Sequence, residues 1–354
     1  MNLLRLLAAL TLCTTLSAVE AVKWSNSLPT DPKWLAGDVA KGIAENLLVY
    51  QYPSGGWPKN VDMAKPLTPA ARAELEERAH DEATIDNGAT TTQVAFLARV
   101  YAVTQEPRYR SAAERGIDYL LAAQYPNGGW PQYFPPRKGY YTHITFNDGA
   151  MANVLEVLRG VAEGRVPYAW ADADRRRRAA AAVARGIDCI LKCQVVQDGK
   201  PTIWAAQHDE VTFAPAWARK FEPPSLASAE SVGIVRFLMS IESPSPDIVA
   251  AIDGAAQWFE RNKILGFRAE MVSAPTQPGG RDRVVIADPQ AGPIWARFYE
   301  LGTNRPLFMG RDSVVHYKLE EIEHERRVGY AWYNNSAASL LAKDYPRWRE
   351  RLGR

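Results

Sequence analysis

The chain has 354 residues, with 42 Lys and Arg against 40 Asp and Glu and a formal net charge of +2. That near balance excludes a protein whose main work is coating nucleic acid, because such domains carry a strong basic excess. With 47% hydrophobic and 23% charged residues the composition is that of a folded chain, and it excludes a disordered one.

Taken in chain order, the first segment reads as an export signal. Arg5 supplies a minimal positive region, residues 6–12 form an apolar run too short to span a bilayer, and Ser17-Ala18-Val19-Glu20-Ala21 offers a cleavage site after Ala21. Cys13 follows Leu12, which is bulkier than a lipoprotein signal usually allows, so lipidation is not expected. Residues 22–354 are then a single exported domain, periplasmic or secreted. No later segment reads as membrane-spanning. Of the remaining cysteines, Cys189 and Cys193 stand at i, i+4 in a predicted helix over residues 186–195. That spacing suits a disulfide poorly and predicts two buried thiols.

The next signal is a repeat. Gln51-Tyr52-Pro53-Ser54-Gly55-Gly56-Trp57-Pro58 returns 73 residues later as Gln124-Tyr125-Pro126-Asn127-Gly128-Gly129-Trp130-Pro131. A degraded copy, Arg185-Gly186-Ile187-Asp188, matches Arg115-Gly116-Ile117-Asp118 at an offset of 70 and leads to Gln194. Ala255-Ala256-Gln257-Trp258 reads as a fourth copy. A period near 70 holds two helices and their connections. In each copy an amphipathic helix stops at Gly/Pro punctuation and Trp follows. Between copies lie further helical stretches at residues 87–103, 148–163 and 228–242. This grammar predicts a mostly α protein whose helix pairs close into an α/α toroid, with loops 204–224 and 273–291 at its mouth.

Arg115 to Trp130 is similar to the QW motif of triterpene cyclases, in which the Gln amide ties free helix-end carbonyls and the Trp packs over them. The copies are therefore read as scaffold. Cyclase chemistry needs an acidic Asp-x-Asp-Asp box, and Asp172-Ala173-Asp174-Arg175 does not supply it. That string opens an Arg run read as a solvated helix face.

Two polar strings interrupt apolar helix starts: Thr84-Ile85-Asp86-Asn87-Gly88-Ala89-Thr90 and Thr145-Phe146-Asn147-Asp148-Gly149-Ala150. Either Asp alone reads as a helix N-cap. Two of them, one helix pair apart and facing one end of the ring, make a hard-oxygen site suited to Ca²⁺ rather than Zn²⁺. Arg219, Arg297, Arg311 and the pair Arg326-Arg327 stand out from other arginines because Trp, Phe, Tyr and Gly flank them. Guanidinium groups in such settings suit repeated carboxylates, which they bind bidentately.

With Gly55-Gly56-Trp57-Pro58-Lys59-Asn60, Arg297-Phe298-Tyr299-Glu300 and Glu323-His324-Glu325-Arg326-Arg327-Val328-Gly329-Tyr330-Ala331-Trp332-Tyr333, these strings make the chain resemble the family 10 polysaccharide lyases, which are pectate lyases, from about Trp34 to Trp348. The resemblance implies calcium-dependent β-elimination of de-esterified homogalacturonan, an anionic polysaccharide, on an α/α toroid. It carries the family's catalytic Arg onto Arg311 and its calcium-ligating Asp onto Asp86. It leaves Asn87, Asp148, Arg219, Arg297 and Arg326 as substrate or calcium ligands.

The chemistry accounts for that set. Elimination removes the C5 proton, α to a carboxylate whose own charge opposes carbanion formation. Calcium shared between that carboxylate and Asp86 would withdraw the charge, and Arg297 or Arg326 would spread what develops. An Arg base, with its pKa above about 12, predicts an alkaline optimum. Three other readings compete. One is a glycoside hydrolase on the same toroid with Asp86 and Asp148 as acid and base. The others are a terpene-cyclase-like enzyme and a non-catalytic pectin-binding protein.

Overall fold

The computed structural model describes residues 22–353, so the expected signal at residues 1–21 lies outside the described residues. Helices α1 (Pro32–Leu35), α2 (Asp38–Tyr50) and α3 (Pro69–Glu76) open the chain. Three pairs follow: α4 (Thr91–Thr104) with α5 (Pro107–Ala122), α6 (Ala150–Glu163) with α7 (Ala173–Cys193), and α8 (Ser228–Met239) with α9 (Pro246–Arg261). Short helices α10 (His324–Gly329), α11 (Ser336–Ser339) and α12 (Tyr345–Arg351) close it. The protein is mostly α, as the sequence predicts. Within each pair the helices pack side by side. The first members α4, α6 and α8 also touch in succession, as do α2, α5, α7 and α9.

Local chemistry sets these elements. In α6 the buried residues Met151, Val154, Leu155, Leu158 and Val161 recur at helical spacing on one face. Gly164, in the left-handed region at φ 62°, ends the helix and donates to the Gly160 and Val161 carbonyls. Asp172 caps α7 by accepting from the Arg175 amide at 2.8 Å.

The Gln and Trp of each repeat stitch consecutive pairs together. Gln51 Nε2 donates to the Gly55 and Ala112 carbonyls at 2.8 and 2.9 Å, while the Trp57 indole donates to Leu47 O at 2.8 Å. Gln124 reaches Gly128 and Ala182 at 3.0 and 2.9 Å, and Trp130 donates to Leu120 O at 2.7 Å. Gln194 reaches Thr202 and Ala251, and Trp204 donates to Ile190 O. Each amide thus ties its own turn to a helix of the next pair. The turn needs glycine: Gly128 sits at φ 92°, and a Cβ there would lie 2.1 Å from Arg185 O.

Three expectations need correction. The fourth copy is not at Gln257-Trp258. The indole that reaches back to the helix end is Trp295, donating to Phe259 O at 3.0 Å, and Lys263 occupies the Gln position. A long insertion before Trp295 hid that register. Residues 273–291 are not an open loop: Phe267–Ser273 and Arg281–Ala287 pair as an antiparallel hairpin. The Arg run is only partly a solvated face. Arg175 and Arg178 reach Asp118 on α5 at 2.8 and 2.6 Å, which ties two helices together. Cys189 and Cys193 are buried free thiols, as predicted. No helix among the described residues is long and apolar enough to cross a membrane.

Candidate active site

The two polar strings fold into two copies of one turn. Asp86–Gly88 and Asn147–Gly149 are single 3₁₀ turns ahead of α4 and α6. Asn87 (φ 52°, ψ 33°) and Asp148 (φ 50°, ψ 29°) hold matching left-handed conformations. Asn and Asp tolerate that region better than other side chains with a Cβ. The match pairs Asp86 with Asn147 and Asn87 with Asp148. The first residue of each turn is buried, at 3% and 7% exposure, and the second faces out. Neither carboxylate caps its helix, so the N-cap reading fails. The turns pack against each other, and Lys59, Asn60, Asn87, Thr92, Asp148 and Asn153 line one cleft of about 600 Å³.

Asp86 is the buried carboxylate of the pair. Its Oδ2 is ion-paired with the Lys59 ammonium, and its Oδ1 is buried with no hydrogen-bond partner among the described residues. A free oxygen on a buried carboxylate, beside a second carboxylate and two amides, fits a hard divalent cation. Lys59 lies in a string the sequence had singled out, but no role was read for it.

Arg297 joins this site to a second one. Its guanidinium donates to Asn147 Oδ1 at 3.1 Å and Glu230 Oε1 at 2.5 Å, and it lies 3.7 Å from Asp148 Oδ1. Burial alone would lower Arg297, but Glu230, Tyr330 and Asp148 together hold it well above its ordinary value, so it stays charged. Glu230, on the buried face of α8, was not legible as a site residue. Arg297 also stacks on the Tyr330 ring at 4.6 Å.

Tyr330 leads to the arginine cluster. Arg219 packs over both Tyr330 and Phe221, at 5.5 and 4.8 Å. Arg326 and Arg311 face the same Phe221 ring at 4.6 and 5.7 Å. Carboxylates hold each of the three. Arg219 forks onto Glu222, whose Oε1 also accepts from Tyr330 OH at 2.6 Å. Burial pushes Glu222 up, yet Arg219 outweighs it and holds the carboxyl below its usual range. Arg326 first and Arg311 second pull Glu325 down to about 2. Arg327, the neighbour in the pair, turns away to Asp282 of the hairpin. All seven expected site residues therefore fall in two groups that meet at Arg297. The sequence missed Lys59, Glu222, Glu230 and Glu325, because a counter-ion has no spacing signature. Apart from this site, His143, Asp209 and Glu210 gather ligand atoms within 4.8 Å of one another, with His143 paired to Glu210 and Asp209 accepting from the Thr212 amide.

His208 braces the loop that delivers Arg219. It pairs with Ile144 in a two-residue ladder just before the Asp148 turn. Nδ1 donates to Phe213 O at 2.8 Å and Nε2 accepts from the Ala205 amide at 3.1 Å. Burial pushes this imidazole from 6.5 down to about 4. The folded state therefore holds it neutral, and its contribution is complete above pH 6.5 and falls as pH drops towards 4. Across that window the loss is about 3 kcal/mol. Melting temperature should fall over this range in the wild type, and His208→Gln should flatten the slope. Equal slopes in the two proteins would rule out this origin.

A mostly α chain of stitched helix pairs thus sets groups suited to a cation beside groups suited to an anion. The chain matches the pectic acid lyase family over residues 51–341. Among solved structures it is similar to a mutant family 10 polysaccharide lyase from Cellvibrio cellulosa in complex with trigalacturonic acid. That match has 32% identity and a TM-score of 0.75, over 92% of this chain and 99% of that one. A second structure of the Cellvibrio cellulosa family 10 lyase is 33% identical with a TM-score of 0.75, over 91% of this chain and 95% of that one. No curated protein matches. The chain belongs to the pectic acid lyase family, the family 10 polysaccharide lyases, and is an enzyme of the pectate lyase class. That membership weighs against the hydrolase, cyclase and binding-protein readings.

Proposed function

We propose that the protein is a calcium-dependent lyase that cleaves de-esterified homogalacturonan by β-elimination. The observation that carries the reading is Arg297, which touches Asp148 on one side and stacks on Tyr330 at the edge of the arginine cluster on the other. A polymer with one carboxylate per sugar would place neighbouring carboxylates on the cation site and on the guanidinium forks. The trigalacturonic acid in the Cellvibrio complex supports this substrate class. The successive contacts of α4, α6 and α8, and of α2, α5, α7 and α9, support an α/α toroid. The single catalytic domain spans residues 22–354, and the segment before it supports export.

Asp86 and Asp148, with Asn87, would hold the calcium, which when bound draws charge from the substrate carboxylate and acidifies the C5 proton. The chain's own groups do the rest. Arg326 and its neighbours fork onto substrate carboxylates. Arg297, fixed and charged, faces the negative charge that develops. A deprotonated arginine takes the C5 proton, the C5–H electron pair forms the C4–C5 double bond, and the C4–O bond breaks with its electrons leaving on the glycosidic oxygen, which takes a proton from water.

The base was expected at Arg311, and a specific observation favours Arg219. Arg311 is 59% exposed and touches one ring, whereas Arg219 is 44% exposed, lies against two rings, and shares Tyr330 with Arg297. The Glu222 fork holds Arg219 charged and outweighs the burial that would bring it towards neutrality. That burial is greater than at Arg311, so a substrate carboxylate that draws Glu222 away would leave Arg219 the more readily deprotonated of the two. Both are held protonated here, Arg219 by Glu222 and Arg311 by Glu325, which supports an alkaline optimum.

Polygalacturonate at alkaline pH with calcium should give rising ultraviolet absorbance from the unsaturated product, abolished by chelator. New reducing ends without absorbance would mean hydrolysis and would overturn the proposal.

A further inference from the structure

Asp86 carries its charge under cover. The side chain is 5% exposed, so an unpaired carboxylate there would be costly. Lys59 meets that need. Its ammonium lies on Asp86 Oδ2, its own side chain is 27% exposed, and the Tyr133 ring lies 5.5 Å from its nitrogen. Gly-Gly-Trp-Pro fixes where the lysine starts: Trp57 is fully buried, its amide donates to Thr90 Oγ1 at 3.0 Å, and the Thr84 amide donates back to its carbonyl at 3.2 Å. The lysine is therefore anchored to the turn that bears Asp86, not draped over it from elsewhere.

A divalent cation on Asp86 would meet that ammonium at ion-pair range. Like charges repel there, and the low dielectric around a buried carboxylate strengthens the repulsion. We propose that Lys59 is a resident counter-ion that competes with calcium for Asp86, and that it sets the calcium affinity of the enzyme. This rests on the calcium reading given above. The partial exposure of Lys59 gives the displaced side chain a route out, into the cleft of about 600 Å³ that it lines with Asn87 and Asp148. The same residue keeps the site folded when calcium is scarce, because it neutralises a carboxylate that otherwise has a free buried oxygen. Lys59 is a positioning residue in this account, since it acts on the metal through Asp86.

The test is calorimetric titration of calcium chloride into wild type, Lys59→Met and Lys59→Arg, without polysaccharide and at one pH and ionic strength. Lys59→Met should bind calcium at least tenfold more tightly than wild type, and Lys59→Arg no more tightly. Without calcium Lys59→Met should melt below wild type, and calcium should raise its melting temperature by more. A merely structural ion pair would lower stability without tightening calcium binding. Where Lys59→Met yields too little folded protein, Lys59→Gln serves the same comparison. Wild type that binds calcium while neither variant binds it more tightly would overturn the competition alone. Silence towards calcium in wild type and both variants would overturn the metal reading with it.

Discussion

Replacing Asp86 by Ala is expected to lower kcat on polygalacturonate by about a thousandfold, with excess calcium restoring only part of the loss. A bound divalent ion contributes several kcal/mol of transition-state stabilisation, and each tenfold in rate corresponds to about 1.4 kcal/mol. Asp86 is the better covered carboxylate, at 3% exposure, and the one with a free buried oxygen. Asp148 is exposed and already engaged, accepting from Asn147 Nδ2 at 2.7 Å with Arg297 close by. Loss of Asp86 should therefore hurt far more than loss of Asp148. The check is initial rate across a calcium series for both variants. Activity of Asp86→Ala that matches wild type in chelator would remove Asp86 from the cation site.

The second large effect separates two arginines. Arg219→Lys is expected to cut kcat by about a thousandfold with little change in KM, within the span usual for loss of a positioned base. Arg311→Lys should raise KM by about tenfold and leave most of kcat, as befits a group that grips a substrate carboxylate. The two variants differ from wild type in the same way chemically, so the contrast reads position. Steady-state kinetics over an alkaline pH series gives both constants. The reverse pattern would return the base to Arg311.

Much of the scaffold was legible because repetition left the same marks twice. Gln51 and Gln124, with Trp57 and Trp130, make the same bonds in the same order. The fourth copy was misread because its signature depends on Trp295, a side chain 36 residues from the carbonyl it bonds. The hairpin around Pro278-Gly279-Gly280 was passed over although its strands carry β-branched residues such as Val284, Val285 and Ile286. They read as part of a long loop in an otherwise helical chain. At the site, Asp86, Asn87 and Asp148 stood out as polar residues beside glycine where apolar helix starts were due. The arginines stood out by their aromatic neighbours. The carboxylates that hold them did not. Glu222 and Glu230 sit in ordinary contexts, and only the fold brings them to Arg219 and Arg297.

The paired turns share a backbone shape but not the depth of their charge. Asp-Asn-Gly and Asn-Asp-Gly hold one backbone shape, yet the acid stands first in one and second in the other. With the acid at the same position of both turns, the two charges would sit at equivalent depth, both inward or both outward. The exchanged order instead leaves one carboxylate sheltered and one presented. A repetitive frame thus holds an asymmetric centre, and exchanging the two neighbouring residues Asn147 and Asp148 would make the turns alike.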